Sequence, residues 1–364
     1  MASSSIAAAA RNGVIRNRNK FTWQQTMLRV SNADASLRFY RDVLGMTHID
    51  TLRFDEYGFT LFFLESQNAV ARQAWEEEVG ASGGPGSDAA HAYLWSMSGV
   101  ALELTYNHHD SDEVYHPGNE PGDGFGHIAF ACEDVVASSE RLEKEHGVSF
   151  KKRPHEGRMK SIAFAYDPDK YWVEIVSRGT PAAASPSAPL PALPEFVLAQ
   201  TMVRVKDPAK AIPFYTEQMG MTKILGKNFG SFTNYFLASL DAGGSERAGM
   251  PALPMDAIPD PEDADAAGSF IKNELYPRCI PVLELTFNHG TETDDAFAHT
   301  NGNEAGKRGF GHIGFLTQDV YESCRELEKE GVDFKKKPDD GTMKGLAFAY
   351  DPDGYWVEII KRDQ

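Results

Sequence analysis

Cysteine is scarce in this chain: its 364 residues include three, Cys132, Cys279 and Cys324. An odd number without metal-ligand spacing excludes a disulfide scaffold and a thiolate metal site, and suits reduced, buried thiols inside a cell. Long apolar runs are missing too, since no stretch approaches the ~18 to 20 consecutive apolar residues that a membrane span needs. Net positive charge is also lacking. The formal charge is -17, which argues against nucleic acid and anionic membranes as partners because both would be repelled at long range. A small anionic ligand held by local Arg and Lys stays open. Acidic residues are absent ahead of Asp34, where Arg11, Arg16, Arg18 and Lys20 lie among Ser and Ala. Residues 1–20 therefore read either as a disordered basic extension or as an organelle transit peptide. The expected location is the cytoplasm, with import through this extension as the alternative.

What remains is ordinary for a folded protein, 41% hydrophobic and 24% charged, and the length suits two domains that each bury a core. The chain repeats itself. QTMLRVSNADASLRFYRDVLGMT from Gln25 returns as QTMVRVKDPAKAIPFYTEQMGMT from Gln200. ALELTYNH returns as VLELTFNH, GFGHIAF as GFGHIGF, and the stretch ending in AYDPDKYWVEIV as one ending in AYDPDGYWVEII. Residues 179–195 are rich in Pro and Ala and read as an extended linker between a domain at 21–178 and another at 196–364. The segments GASGGPGSD after Val79 and AGGSERAGMPALPMDAIPDPEDADAAG after Asp241 read as surface loops. Short β-rich runs at Val100 to Thr105 and Trp172 to Val176, with helical spacing at Ala33 to Leu44 and Val135 to Glu145, predict an α+β class.

Four polar residues recur in the same order in both copies: Gln25, Glu103, His127 and Glu174, then Gln200, Glu284, His312 and Glu358. Each sits in a predicted strand among mostly apolar neighbours, where a carboxylate is expensive to bury unless paired or bound to a cation. Two Glu, one His and one Gln amide supply three oxygen donors and one nitrogen, a ligand set for a divalent cation with room for water. Such an oxygen-rich set suits six-coordination better than closed tetrahedral zinc. Singly, each residue has a plainer reading as a solvent-facing Glu or a hydrogen-bonded core His; the duplicated order favours the joint one. Arg29 lies four residues beyond Gln25, and Asn107 four beyond Glu103, so each stands about 13 Å along its strand from a candidate ligand. That reach would let them hold the carboxylate of a tripeptide-sized ligand, the alternative for Arg29 being a surface salt bridge.

Together, QQTMLRV, LELTYN, GFGHI and KGLAFAYDPDGYWVEI, each duplicated and in order, resemble the glyoxalase I family of the vicinal oxygen chelate superfamily. The resemblance covers both halves except the extension and the linker. It implies two paired βαβββ modules in tandem and a monomer that is an intramolecular pseudo-dimer. It also implies sites shared between the halves, with Gln25 and Glu103 joining His312 and Glu358, and Gln200 and Glu284 joining His127 and Glu174. Gln in the first ligand position implies zinc, with nickel or another divalent metal as the alternative. The implied activity is that of a lactoylglutathione lyase that detoxifies methylglyoxal. Glutathione would be co-substrate, and the hemithioacetal would become S-lactoylglutathione through a metal-stabilised enediolate. Glu358 and Glu174 would move the proton, assisted by Glu103 or Glu284. Implied substrate contacts are Arg29, Asn107, Arg308, Lys336 and Met343 at the first site, and Arg204, Asn288, Lys152 and Met159 at the second. The second site departs from the pattern, because Asp123 and Gly124 stand where Arg-Gly is called for. Weaker binding of glutathione adducts, or a different preference, is expected there, and for the lyase reading as a whole a glutathione-like thiol is the alternative to glutathione. A related dioxygenase would need two His and one carboxylate, and a non-enzymatic binding module would have no use for both carboxylates and the His in both copies.

Overall fold

The computed structural model describes residues 21–109, 114–157, 159–179, 191–240, 253 and 255–363. The expected extension (1–20), most of the expected linker (180–190) and the start of the second insertion (241–252) lie outside the described residues. In the first half the elements are β1 (Thr22–Arg29), α1 (Ala33–Leu37), β2 (Thr47–Phe54), β3 (Phe59–Glu65), α2 (Ala69–Glu78), α3 (Asp88–Ser96) and β4 (Ala101–Asn107). They continue with β5 (Phe125–Cys132), α4 (Val135–His146), β6 (Phe150–Lys152), β7 (Ala163–Tyr166) and β8 (Trp172–Ser177). The second half repeats this with β9 (Val197–Val205), α5 (Pro208–Pro213), β10 (Thr222–Asn228), β11 (Phe232–Ala238), α6 (Ala264–Phe270) and β12 (Val282–Asn288). Its last elements are β13 (Phe310–Thr317), α7 (Val320–Lys329), β14 (Phe334–Lys336), β15 (Ala347–Tyr350) and β16 (Trp356–Lys361). Four βαβββ modules result, as the α+β expectation holds.

The modules pair across the halves. One eight-stranded sheet runs β14-β15-β16-β13-β1-β4-β3-β2, and the other β10-β11-β12-β9-β5-β8-β7-β6. At the seam of the first sheet, β1 and β13 are antiparallel, with Gln25 opposite Gly314. At the seam of the second, β9 and β5 set Gln200 opposite Ala129. The Thr26 and Thr201 hydroxyls meet at 2.8 Å and tie the two seams together.

Local chemistry explains why the helices start and stop where they do. Asn32 accepts from Ala35 N at the start of α1, and Asp134 from Val136 N and Ala137 N at the start of α4, each satisfying N–H groups that lack a helical partner. Gly147, in the left-handed region at φ 66, closes α4. The helix expected over Ala33 to Leu44 is α-helical only to Leu37 and then widens into a π-helical turn, Arg38–Val43. The repeated DPD motif is a staple: Asp167 accepts from Tyr171 N (2.8 Å) and the Tyr40 hydroxyl (2.8 Å), and Asp351 from Tyr355 N (2.9 Å) and Tyr215 (2.9 Å). Each thereby fastens the last strand of one module to the helix of another.

Of the two inserted segments, the first is a loop as expected and the second departs from that expectation at its end. The first is a short turn at Gly80–Ser82 held between α2 and α3, which Asn68 and Ser87 cap. Trp75, Ala90 and Leu94 from these helices pack on Ile49, Phe63 and Ala101. The second insertion ends in α6, capped by Asp263. Burying these side chains against the open sheet face is what stabilises α2 and α3.

Candidate metal centres

Strand alternation sorts each module into two faces. Ile128, Phe130 and Cys132 belong to the core beneath α1 and α4, whereas Ala129 and Ala131 belong to a separate apolar cluster on the opposite face. His127 shares that second face. By the same rule Leu102 and Leu104 enter the helix-side core while Ala101 does not, so Glu103 projects with Ala101.

On these faces the eight recurring residues gather into two buried clusters, each drawing two side chains from either half. In the first, Gln25 Nε2 lies 2.5 Å from Glu103 Oε2, 2.9 Å from Glu358 Oε2 and 3.2 Å from His312 Nε2. His312 Nε2 is 3.0 Å from Glu358 Oε2 and 3.3 Å from Glu103 Oε2. In the second, Gln200 Nε2 lies 2.5 Å from Glu174 Oε2, 2.9 Å from Glu284 Oε2 and 3.4 Å from His127 Nε2. His127 Nε2 is 3.2 Å from Glu174 and 3.7 Å from Glu284. All eight are less than a tenth exposed.

Two carboxylates converging in a dry pocket demand positive charge. The imidazoles register that demand: burial pushes His312 down, but Glu358 and Glu103 outweigh it and carry it up to about 9. Burial likewise lowers His127, and Glu174 with Glu284 raises it to about 9. Burial pushes the Glu284 carboxyl above its usual range. The donor set fits a divalent cation. Ligand bonds of about 2.0 to 2.2 Å place neighbouring donor atoms about 3 Å apart, close to the separations here. In addition, the far end of the Gln25 amide, Oε1, is buried without a partner, so a half-turn of that amide would present oxygen to a cation without breaking a bond at the other end.

Hydrogen bonds position the ligands. Thr105 donates to Glu103 Oε1 (3.0 Å), and Thr286 reaches Glu284 Oε1 (3.4 Å). Two further contacts, from Tyr276 to Gln200 and from Asn234 to Glu284, occur at the second cluster. Neither Tyr276 nor Asn234 belongs to a repeated motif, and sequence reading missed both. The repeated GFGH motif has a steric reason: a Cβ at Gly311 would collide with Met27, one at Gly126 with Met202, and one at Gly309 with the His116 backbone.

The residues expected to touch substrate are disposed less simply. Arg29 is buried rather than in a surface salt bridge. Its guanidinium donates to the carbonyls of Gly302, Gly309 and Phe310 and to Asn303 Oδ1 (2.8 Å), fastening a loop of the other half. Arg204 does the same to Asp123, Phe125 and Asn119. Asn107 donates to the Tyr115 hydroxyl (2.8 Å), and Arg308 is half-buried on the same loop, its carbonyl accepting from His116 N. Lys336 Nζ donates to the Leu346 carbonyl and Lys152 Nζ to those of Met159 and Ile162. Met343 is half-buried and Met159 exposed. Beside the second cluster opens a cavity of about 750 Å³, lined by its four candidate ligands together with Arg204, Asn288, Met159, Phe229 and Tyr276. Asp123 is drawn away from any ligand, because its carboxylate meets His116 Nε2 at 2.6 Å and Lys307 Nζ at 3.4 Å. Burial pushes the Asp123 carboxyl up, but the bonds from His116 and the Glu120 N–H hold it below its ordinary value.

The sequence profile of the Glyoxalase/Bleomycin resistance protein/Dioxygenase superfamily matches residues 22–175 and 197–359. The lactoylglutathione lyase of Schizosaccharomyces pombe is 39% identical over 350 residues, 93% of this chain and 95% of that protein. The chain belongs to the glyoxalase I family. Glyoxalase I of Saccharomyces cerevisiae is 33% identical over 344 residues, 92% of this chain and 90% of its own. A crystal structure of a glyoxalase I mutant from Zea mays shares the fold with a TM-score of 0.61 at 23% identity, covering 96% of both chains. Among the described residues no helix is long and apolar enough to cross a membrane.

Proposed function

We propose that this glyoxalase I family member converts the hemithioacetal of methylglyoxal and glutathione into S-lactoylglutathione, at two centres that each use side chains from both halves. The observation that carries this reading is the duplicated, buried cluster of amide, imidazole and two carboxylates, the second copy of which opens on a ligand-sized cavity. Gln25, Glu103, His312 and Glu358 would hold one divalent cation, and Gln200, Glu284, His127 and Glu174 another, zinc being the choice for this donor set. Such a cation supplies Lewis-acid stabilisation of negative charge on the substrate oxygens.

The rest is the work of the chain. Isomerisation moves a proton between adjacent carbons, so one group must take it and return it. Glu358 in the first centre and Glu174 in the second are assigned that role, with Glu103 and Glu284 across the site to assist. Arg29, Asn107, Arg308, Lys336 and Met343 would receive glutathione at the first centre, and Arg204, Asn288, Lys152 and Met159 at the second. The two differ at Asp123. Because that carboxylate is paired with His116 and Lys307, the second centre lacks an arginine's attraction without adding a free negative charge. The loss is about 1 kcal/mol for a half-exposed contact, hence roughly fivefold in KM.

Metal-replete protein given methylglyoxal with glutathione, or with its spermidine conjugate, tests the reading. Growth of thioester absorbance with glutathione supports it; growth with the conjugate alone would replace the thiol, and none with either would end the proposal.

A further inference from the structure

The two clusters match in their ligands but differ in what stands behind them. At the second, the Tyr276 hydroxyl lies 3.0 Å from Gln200 Oε1, the amide atom that faces away from the cluster. Asn234 Nδ2 lies 2.5 Å from Glu284 Oε1, and Asn234 Oδ1 accepts in turn from the Thr286 hydroxyl. At the first, Gln25 Oε1 is buried with no partner. Across the strand pair from Thr105 lies Leu61, where Thr286 faces Asn234. In the first centre an apolar side chain thus replaces Asn234, Glu103 Oε1 is held by Thr105, and Gln25 Oε1 has no counterpart of the Tyr276 hydroxyl.

A phenolic hydroxyl both donates and accepts, so it pairs with a glutamine amide whichever end is turned toward it. Tyr276 therefore holds the Gln200 amide plane with or without a cation in front of it, and Asn234 fixes one oxygen of Glu284 while the other stays free. Gln25 must leave one amide end unpaired in dry surroundings in either orientation.

We propose that Tyr276 and Asn234 are positioning residues of the second centre, and that they make it retain a divalent cation more tightly than the first; this rests on reading both clusters as metal centres. Hydrogen-bond partners of metal ligands typically alter affinity 10- to 100-fold. Zinc-loaded protein is titrated with a chromogenic chelator, and the two dissociation constants are extracted from the competition curve. The expected result is two constants at least about tenfold apart, the tighter one missing in His127→Ala and the weaker one missing in His312→Ala. Tyr276→Phe and Asn234→Leu should each weaken the tighter constant by about 10-fold or more and leave the weaker one alone, whereas general loosening of the fold would shift both. Leu61→Asn should tighten the weaker constant. Equal constants in the unaltered protein, a tighter constant that belongs to the first centre, or a tighter constant indifferent to both Tyr276→Phe and Asn234→Leu would overturn the proposal. Protein that takes up no zinc would instead overturn the reading of the clusters as metal centres, and this proposal with it.

Discussion

Replacing Glu358 by Gln keeps the shape of the first centre and removes its assigned proton carrier. In the structure its Oε2 is 3.0 Å from His312 Nε2 and 2.9 Å from Gln25 Nε2, both of which an amide oxygen can still meet. The loss of one proton-transferring group is worth about 10²- to 10⁴-fold in turnover. Glu174 belongs to a separate cluster built from the other four ligands, so the second centre keeps working. Glu358→Gln alone should therefore fall only to the share carried by the second centre, and Glu174→Gln only to that of the first. The double variant should fall by about 10²- to 10⁴-fold. Initial rates of thioester formation measure all three, and metal analysis confirms that the variants remain loaded. The single variants also separate the KM values: the enzyme left with its second centre, Glu358→Gln, should show the higher KM, by roughly fivefold. A double variant within tenfold of the unaltered enzyme, or a single variant as slow as the double one, would refute the assignment.

Further outcomes follow from the same geometry. Stripping with a chelator should abolish turnover, and adding back zinc should restore it in proportion to the metal taken up; turnover that persists in metal-free protein contradicts the account. Gly309→Ala drives a Cβ into the His116 backbone and should cost about 1 to 3 kcal/mol in denaturant unfolding, whereas Gly311→Ala meets only the movable thioether of Met27 and should cost less; the reverse order would count against the packing described. Burial raises Asp167 and Asp351 to about 7. A carboxyl whose folded pKa lies above its unfolded value contributes stability that is complete below about pH 4 and is lost as pH rises through about 7. Asp351→Asn should remove its part of that decline, up to roughly 4 kcal/mol for a shift of about 3 units; thermal melts of variant and unaltered protein from pH 5 to pH 8 that run parallel would contradict it.

Much of the fold was legible because the chain says everything twice. Apolar alternation around Glu103, His127 and their counterparts marked the strands, and the duplicated order of Gln, Glu, His and Glu marked the candidate ligands. What lacked a second copy was hidden. The helices α2, α3 and α6 lie in or beside insertions that have no like sequence in the other half, and α2 and α3 are stabilised by an apolar sheet face that only the folded chain presents. Asn234 answers to Leu61 in the first half, and Tyr276 lies in an insertion without a like counterpart there, so no repeated letter pointed to them. Arg29 shows a different limit. Strand spacing gives its distance from Gln25 but cannot tell that a loop of the other half, at Gly302 to Phe310, arrives to accept its N–H groups. For Asp123 the sequence shows the charge and not its neutralisation, since Lys307 lies far along the chain.

Everything rests on a cation clasped by side chains that neither half supplies alone. Calorimetric titration of metal-stripped protein with zinc should reach two equivalents in the unaltered chain, one in His312→Ala, one in His127→Ala and none at comparable affinity in the double variant. Two equivalents bound by the double variant, or none by the unaltered chain, would contradict it.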